Sequence, residues 1–189
     1  MGGTLLVSGT DNGREFFIGL LKDDAFLPVT AAASGDEARR LLPENDFALV
    51  LLNAPIRGGG AAELAVHAAQ TSSAAVLLVV GAELADEAAA RTEEDGVLVL
   101  PKPFSRPLFH QTLRLAMAAR RRMLGLRDEN IQLQQKIEEI RLVDRAKCAL
   151  IQYLNLTEAQ AHRYIEKQAM DTRQTRREVA CRILQTYGA

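Results

Sequence analysis

The first hundred residues alternate short apolar runs with segments of helical spacing. Leu5-Leu6-Val7, Phe26–Ala33, Ala48–Leu52, Val76–Val80 and Val97–Leu100 read as strands. Arg14–Lys22, Asp36–Leu42, Ala61–Gln70 and Glu83–Glu93 read as the helices between them, with Ser34 capping the second. Strands that are apolar throughout suit a sheet covered on both faces. This βαβ rhythm predicts an α/β fold, a doubly wound parallel sheet of five strands.

From Pro107 the pattern stays helical past Ile140, and Gly125 is the interior residue that weakens it. At about 1.5 Å per residue this helix exceeds roughly 45 Å, more than a small domain covers. Met123, Asn130 and Ile137 fall at heptad position a, and Leu126, Leu133 and Ile140 at d. Such a seam predicts pairing with a second copy, and Asn at one a position favours two strands in register. The flanks do not reinforce it, because Arg122 at g would face Arg127 at e of a parallel partner. The competing expectation is an amphipathic helix folded back on its own chain.

The tail divides into three helical pieces, an expected all-α bundle. Arg141–Leu154 carries Leu142, Ala146, Ala149, Leu150 and Tyr153 on one stripe, and Asn155-Leu156 breaks it. Thr157 and Gln160 form a capping box for the second piece, whose stripe is Ala161, Tyr164, Ile165 and Gln168. Asp171 or Thr172 is the expected cap of the third, with Val179, Ala180, Ile183, Leu184 and Tyr187 inside and Gly188 at its end. The expected domains are 1–118, a dimerisation helix over 119–141, and 142–189.

Charge sharpens this division. The net charge of −1 conceals 7 Lys/Arg against 15 Asp/Glu in residues 1–104, 7 against 4 in 105–140, and 9 against 5 in 141–189. A polyanion partner is therefore expected at the back of the chain. No apolar stretch approaches the roughly 20 residues that cross a bilayer, so no membrane association is expected. The start has no basic region ahead of an apolar one, and Cys148 and Cys181 form no metal-type cluster. Reduced thiols in a cytoplasmic protein, with no metal or cofactor, is the expectation.

In doubly wound sheets, sites lie beyond the carboxyl ends of the strands. Here those ends run into Ser8-Gly9, Asn53, Gly81-Ala82 and Lys102-Pro103-Phe104. The strand spacing, the Pro55 turn and Lys102-Pro103 resemble the receiver domain of bacterial response regulators over roughly residues 4–118, which implies a flavodoxin-like fold. By that resemblance the pocket would need an acidic pair, a nucleophilic Asp, a hydroxyl and a Lys. The Asp attacks phosphorus, the acids bind Mg²⁺, and hydroxyl and ammonium hold the phosphoryl oxygens. Only Lys102 is kept. Ser8 and Gly9 replace the acids, Asn53 replaces the phospho-acceptor, and Gly81, or Val80 in a shifted alignment, replaces the hydroxyl. Asn53 therefore reads as a lost phosphorylation site, against an ordinary turn Asn of an unrelated α/β domain, and Lys102 as a structural residue that bonds backbone carbonyls across the pocket, against an inherited surface charge. Asp11, beside Asn12-Gly13, reads as a turn residue. Gly58-Gly59-Gly60 lacks the Lys-Ser/Thr of a phosphate loop.

The tail "VDRAKCALIQYLNLTEAQAHRYIEKQAMDTRQTRREVACRIL" resembles the ANTAR family of RNA-binding transcription antiterminators. Ala146-Lys147, Leu150, Leu156-Thr157-Glu158-Ala159, Ala161, Ile165, Ala169-Met170 and Val179-Ala180 carry the resemblance. Cys148 departs from it, since the family usually has Gly there. The resemblance implies a dimer that binds paired hairpins of mRNA leaders and disfavours a terminator. Candidate contacts are Arg145, Lys147, Arg163, Lys167, Thr172, Arg173, Gln174, Arg176 and Arg177, with Lys147, Arg173 and Arg176 foremost. Thr172 would offer its hydroxyl, or a free backbone N–H for a phosphate. Tyr153, Tyr164 and Tyr187 read as core, and Cys148 and Cys181 as packed small residues. With the phosphate chemistry lost, control is expected from a partner protein, a small ligand or assembly state, and the resemblance implies a sensor or regulatory protein at the receiver-like domain. The rival expectations are a DNA-binding response regulator, a phosphotransfer module or enzyme, and a coiled-coil adaptor.

Overall fold

A computed structural model describes residues 2–22 and 26–187. Five parallel strands, β1 (Thr4–Ser8), β2 (Val29–Ala32), β3 (Leu49–Asn53), β4 (Ala75–Gly81) and β5 (Leu98–Lys102), form one sheet in the order β2-β1-β3-β4-β5. This is the flavodoxin-like winding, with its switch point between β1 and β3. Between the strands run α1 (Asp11–Leu20), α2 (Gly35–Glu44), α3 (Ala61–Thr71) and α4 (Ala85–Thr92). The alternation of side chains along each strand supplies both faces. Leu5, Val7, Val50, Leu52 and Leu78 pack with α2, α3 and α4. Leu6, Leu49, Leu51, Leu77 and Val79 pack with Phe17 and Leu20 of α1 and with Phe109 and Leu113 of the next helix.

That helix, α5, is continuous from Arg106 to Leu154, 49 residues. The expected first piece of the tail is its last turns, with no break at Arg141. Two short helices follow, α6 (Glu158–Thr172) and α7 (Arg176–Tyr187). The last turns of α5 pack Ala146, Ala149 and Leu150 against Ala161 and Ile165 of α6 and Val179, Ala180 and Ile183 of α7. The chain divides into two compact units, Met1–Gly125 and Leu126–Ala189, with the boundary inside α5.

Several local expectations change. Asn12-Gly13 is helical, because Thr10 caps α1 by accepting the Gly13 N–H at 3.2 Å, and Asp11 in the first turn pairs with Arg14. Once a cap is satisfied, the turn preference of Asn-Gly has nothing left to win. Neither Asp171 nor Thr172 caps α7. Both lie inside α6, which ends on Arg173 in the left-handed region at φ 52°. Thr175 is the cap: its hydroxyl accepts the Glu178 N–H at 3.2 Å, and Glu178 Oε2 accepts the Thr175 N–H at 2.7 Å. Tyr153 is 53% exposed, Tyr164 is also exposed, and Cys148 faces solvent rather than packing. Gly188 lies outside the described residues.

Candidate functional site

Two places hold the chemistry-bearing residues, and each is built within one unit. The first lies at the carboxyl ends of β1, β3, β4 and β5. The sheet register sets Ser8 beside Asn53 and Gly81 beside Lys102. Asn53 Nδ2 donates to Ser8 Oγ at 3.0 Å, and the buried Ser8 hydroxyl lies 3.3 Å from the Thr10 carbonyl. Asn53 Oδ1 is buried without a partner. The first turn of α1 closes directly over this pair. A Cβ on Gly13 would stand 2.6 Å from Ser8 Oγ and 2.7 Å from Asn53 Nδ2. Neutral side chains and backbone thus fill the space between Ser8 and Asn53, and the Arg14 guanidinium lies 3.5 Å from the Ser8 carbonyl.

Lys102 spans the same strand ends. Its Nζ donates to the Ala54 carbonyl at 2.6 Å, fastening β5 to the turn after β3. Burial pushes its ammonium below the usual lysine value, and the Glu83 carboxylate partly offsets this. Gly81 leaves room where that carboxylate leans over the end of β4, since a Cβ there would stand 2.7 Å from Glu83 Cδ. A Cβ on Gly9 would meet the Pro55 carbonyl at 3.2 Å. Asp11 is held by Arg14 at the edge. The arrangement supplies neither a nucleophilic carboxylate nor a carboxylate pair for Mg²⁺. Among the described residues, no group of three His, Cys, Asp or Glu side chains could hold a metal ion.

The second place is the basic surface of the small bundle. Arg163 and Lys167 stand four residues apart on α6, where one face presents both, and both are exposed. Arg173 and Gln174 occupy the turn between α6 and α7, and Arg176 and Arg177 the first turn of α7. Thr172 lies in the last turn of α6 and donates its hydroxyl to the Gln168 carbonyl at 2.6 Å, so it offers no helix N-terminus. Gln174 Oε1 is 3.2 Å from that hydroxyl.

Two of the foremost candidates are already engaged. Lys147 Nζ lies 2.8 Å from Asp144 and 3.3 Å from Glu158, with its side chain only 16% exposed. The hydrogen bond to Asp144 raises its ammonium above the usual lysine value, against the burial that lowers it. Arg176 lies 3.8 Å from Glu139 and 4.0 Å from Glu166, which also meets His162 at 3.2 Å. Lys136, Lys147, His162 and Arg176 line one cleft of about 210 Å³. Among the described residues, Arg145, Arg163, Lys167, Arg173 and Arg177 make no ion pair and are exposed. The sequence reading missed Lys136, which lines this cleft and also a groove that reaches Arg177. It also missed the carboxylates. Asp144 was legible at three residues from Lys147, whereas Glu158 required the α5–α6 turn.

The seam residues of α5 are uncovered. Met123 is 68% exposed and Leu133 61%, and Leu126, Ile137 and Ile140 are likewise exposed, with Asn130 among them. The groove toward α7 is lined instead by Ile131, Gln135, Glu138 and their neighbours, on another face of α5.

The ANTAR domain model matches residues 132–184, so it begins inside α5. The chain is 30% identical over 174 residues to the transcriptional regulatory protein PdtaR of Mycobacterium tuberculosis, covering 89% of this chain and 82% of that one. A signal receiver domain of an HD domain-containing protein from Pseudomonas fluorescens Pf-5 superposes with a TM-score of 0.58 at 20% identity, over 66% of this chain and 92% of that one. A CheY-like response regulator receiver domain protein from Methanospirillum hungatei JF-1 gives 0.57 at 17%, over 65% and 98%. These two likenesses show the fold of the first unit. No helix among the described residues is long and apolar enough to cross a membrane.

Proposed function

Because this chain belongs to the family of ANTAR-domain transcriptional regulators that includes PdtaR, we propose that it acts as an RNA-binding antiterminator whose receiver-like unit takes no phosphate. The proposed division of labour is 1–118 as a degenerate receiver, 119–141 as the dimerisation helix and 142–189 as the RNA-binding module. Two copies pair through Met123, Leu126, Asn130, Leu133, Ile137 and Ile140. Each then presents one bundle to one hairpin loop of an mRNA leader in the cytoplasm. The binding is non-covalent, and the chain performs no catalysis.

The observation that carries this reading is the set of free, exposed cations on α6 and around the α6–α7 turn: Arg163, Lys167, Arg173 and Arg177. Free guanidinium and ammonium groups neutralise phosphates and release counterions. Guanidinium planes also stack on unpaired loop bases. Arg173 is the left-handed C-cap of α6, where the chain turns, and its side chain is exposed there. Lys147 and Arg176 rank behind these four, because an RNA phosphate would have to compete with carboxylates already in contact.

In the receiver-like unit, an amide at Asn53 cannot form an acyl phosphate, and Ser8 and Gly9 offer no carboxylate for Mg²⁺. In place of phosphate, the proposed input to this unit is a partner protein. Competition of hairpin RNA against duplex DNA at several salt concentrations tests the first half of the proposal. Hairpin preference is expected, and duplex preference overturns it in favour of a DNA-binding regulator. Incubation with a small phosphodonor tests the second half. No covalent phosphate is expected, and a phosphorylated species that disappears in Asn53→Ala overturns it.

A further inference from the structure

A cleft of about 210 Å³ opens between α3 and α4 at the carboxyl end of the sheet. Its floor is Leu78 and Val80, strand residues that pack on the α2–α3–α4 side of the core. Ala62 and Ala88 form its walls and stop short of filling it, and Leu84, half exposed, stands at its mouth. Ala54, whose carbonyl holds Lys102, closes one end, so the cleft adjoins the vestigial pocket.

The rim is acidic. Arg91 pairs with Glu63 and lies 3.8 Å from Glu87, so two carboxylates share one guanidinium. The charged residues that line the cleft are Glu63, Glu87 and Arg91, and Glu83 and Asp86 stand exposed on the turn and first residues of α4 beside its mouth. Size narrows the occupant further. Pockets for whole small ligands run from about 300 Å³ upward. An apolar cavity of roughly 150 Å³ takes a benzene ring. This cleft lies between the two and suits one apolar side chain rather than a metabolite.

We propose that the α3–α4 cleft receives a single Leu or Phe side chain projected by a Lys/Arg-rich helix of a partner protein. The inference rests on the reading that control reaches this unit through a protein. The anchor's neighbours at three and four residues lie on its own helix face. Cations there meet the exposed carboxylates of Glu83 and Asp86, which make no ion pair among the described residues, and compete with Arg91 for Glu87, which steers the encounter and fixes orientation. Seating of the anchor against Ala54 transmits contact to the turn that Lys102 fastens.

The probe is a synthetic Ala/Lys/Arg helix of about 16 residues with one central Leu, long enough to be partly helical alone. It is titrated into the isotope-labelled full chain and followed by NMR. Shifts are expected at residues 54, 61–63 and 78–91. Replacing the peptide's Leu by Ser, or Ala62→Leu in the chain, is expected to weaken binding about tenfold or more. Asp86→Asn with Glu87→Gln is expected to weaken it severalfold and flatten its salt dependence. The charge variant and the Ser peptide decide the matter if Ala62→Leu does not fold. Equal affinity for the Leu and Ser peptides, or shifts elsewhere, overturns the proposal. So does a change in the chain's own oligomeric state in Ala62→Leu, which would make a second copy the occupant. Saturation of the same resonances by phenethylamine that the peptide cannot displace overturns it too. Hairpin RNA affinity is measured in parallel, so loss of the peptide site alone leaves the antiterminator reading standing.

Discussion

At the scale of single residues, Gly13 lets the first turn of α1 close over Ser8 and Asn53. Two effects of Gly13→Ala oppose each other. Helix propensity favours Ala over Gly by about 1 kcal/mol. Against it, the new Cβ would stand 2.6 Å from Ser8 Oγ and 2.7 Å from Asn53 Nδ2, both fixed at strand ends. Overpacking of that kind costs about 1–3 kcal/mol, so the net effect is destabilising. Gly19→Ala is the control, since a Cβ there meets nothing within 4 Å and gains the propensity alone. Urea unfolding should move the two midpoints in opposite directions, and a shift in the same direction would show that the contact at Gly13 relaxes freely. The same closure predicts that Asn53→Asp alone acquires no phosphate from a small phosphodonor, as read by intact mass. The restored carboxylate still lacks the acidic pair at Ser8 and Gly9 and the Mg²⁺ that the pair would hold.

At the scale of elements, α5 and α7 each carry a separable prediction. The cap of α7 was misplaced in the sequence reading because Asp171 and Thr172 are also good cap residues. What decided against them is that α6 continues until Arg173 adopts the left-handed conformation, which moves the start of α7 to Thr175. Thr175→Ala is expected to cost about 1 kcal/mol of bundle stability. The Thr175 backbone N–H holds the Glu178 carboxyl below the usual carboxylate range. A depressed folded value stabilises above the unfolded value, near 4.5, and that contribution is lost as pH falls through the folded value. Glu178→Gln should therefore remove part of the acid sensitivity below about pH 4.5, measured by thermal melts across pH. The heptad spacing along α5 was legible because its period is local, and Leu133 and Ile137, both exposed, belong to the face proposed to meet a second copy. Leu133→Asp is expected to convert a dimer to a monomer in sedimentation, and an unchanged dimer would move the interface off α5.

At the scale of the whole molecule, charge and fold were legible to different depths. The βαβ order, the two-sided core and the acidic front with its basic back follow from patterns that repeat along the chain. Pairings between distant residues do not. The amide at Asn53, at the end of β3, was legible, but its bond to Ser8, forty-five residues away, needed the register of β1 on β3. Lys147 and Arg173 looked equivalent as cations and are not. Lys147 sits between Asp144 and Glu158, whereas Arg173 projects free from a turn. That contrast predicts two dissociable phenotypes. A residue whose charge is met internally contributes to stability and little to counterion release. A residue that meets phosphate does the reverse. Lys147→Met should lower bundle stability by about 1 kcal/mol and leave the salt slope of hairpin binding nearly unchanged. Arg173→Ala should leave stability within about 0.5 kcal/mol and reduce the magnitude of that slope by about one. Binding isotherms over a series of salt concentrations, paired with urea melts of the same variants, measure both quantities. If Lys147→Met takes the slope instead, the carboxylates yield to RNA on binding, and the contact surface includes the last turns of α5 as well as the α6–α7 corner.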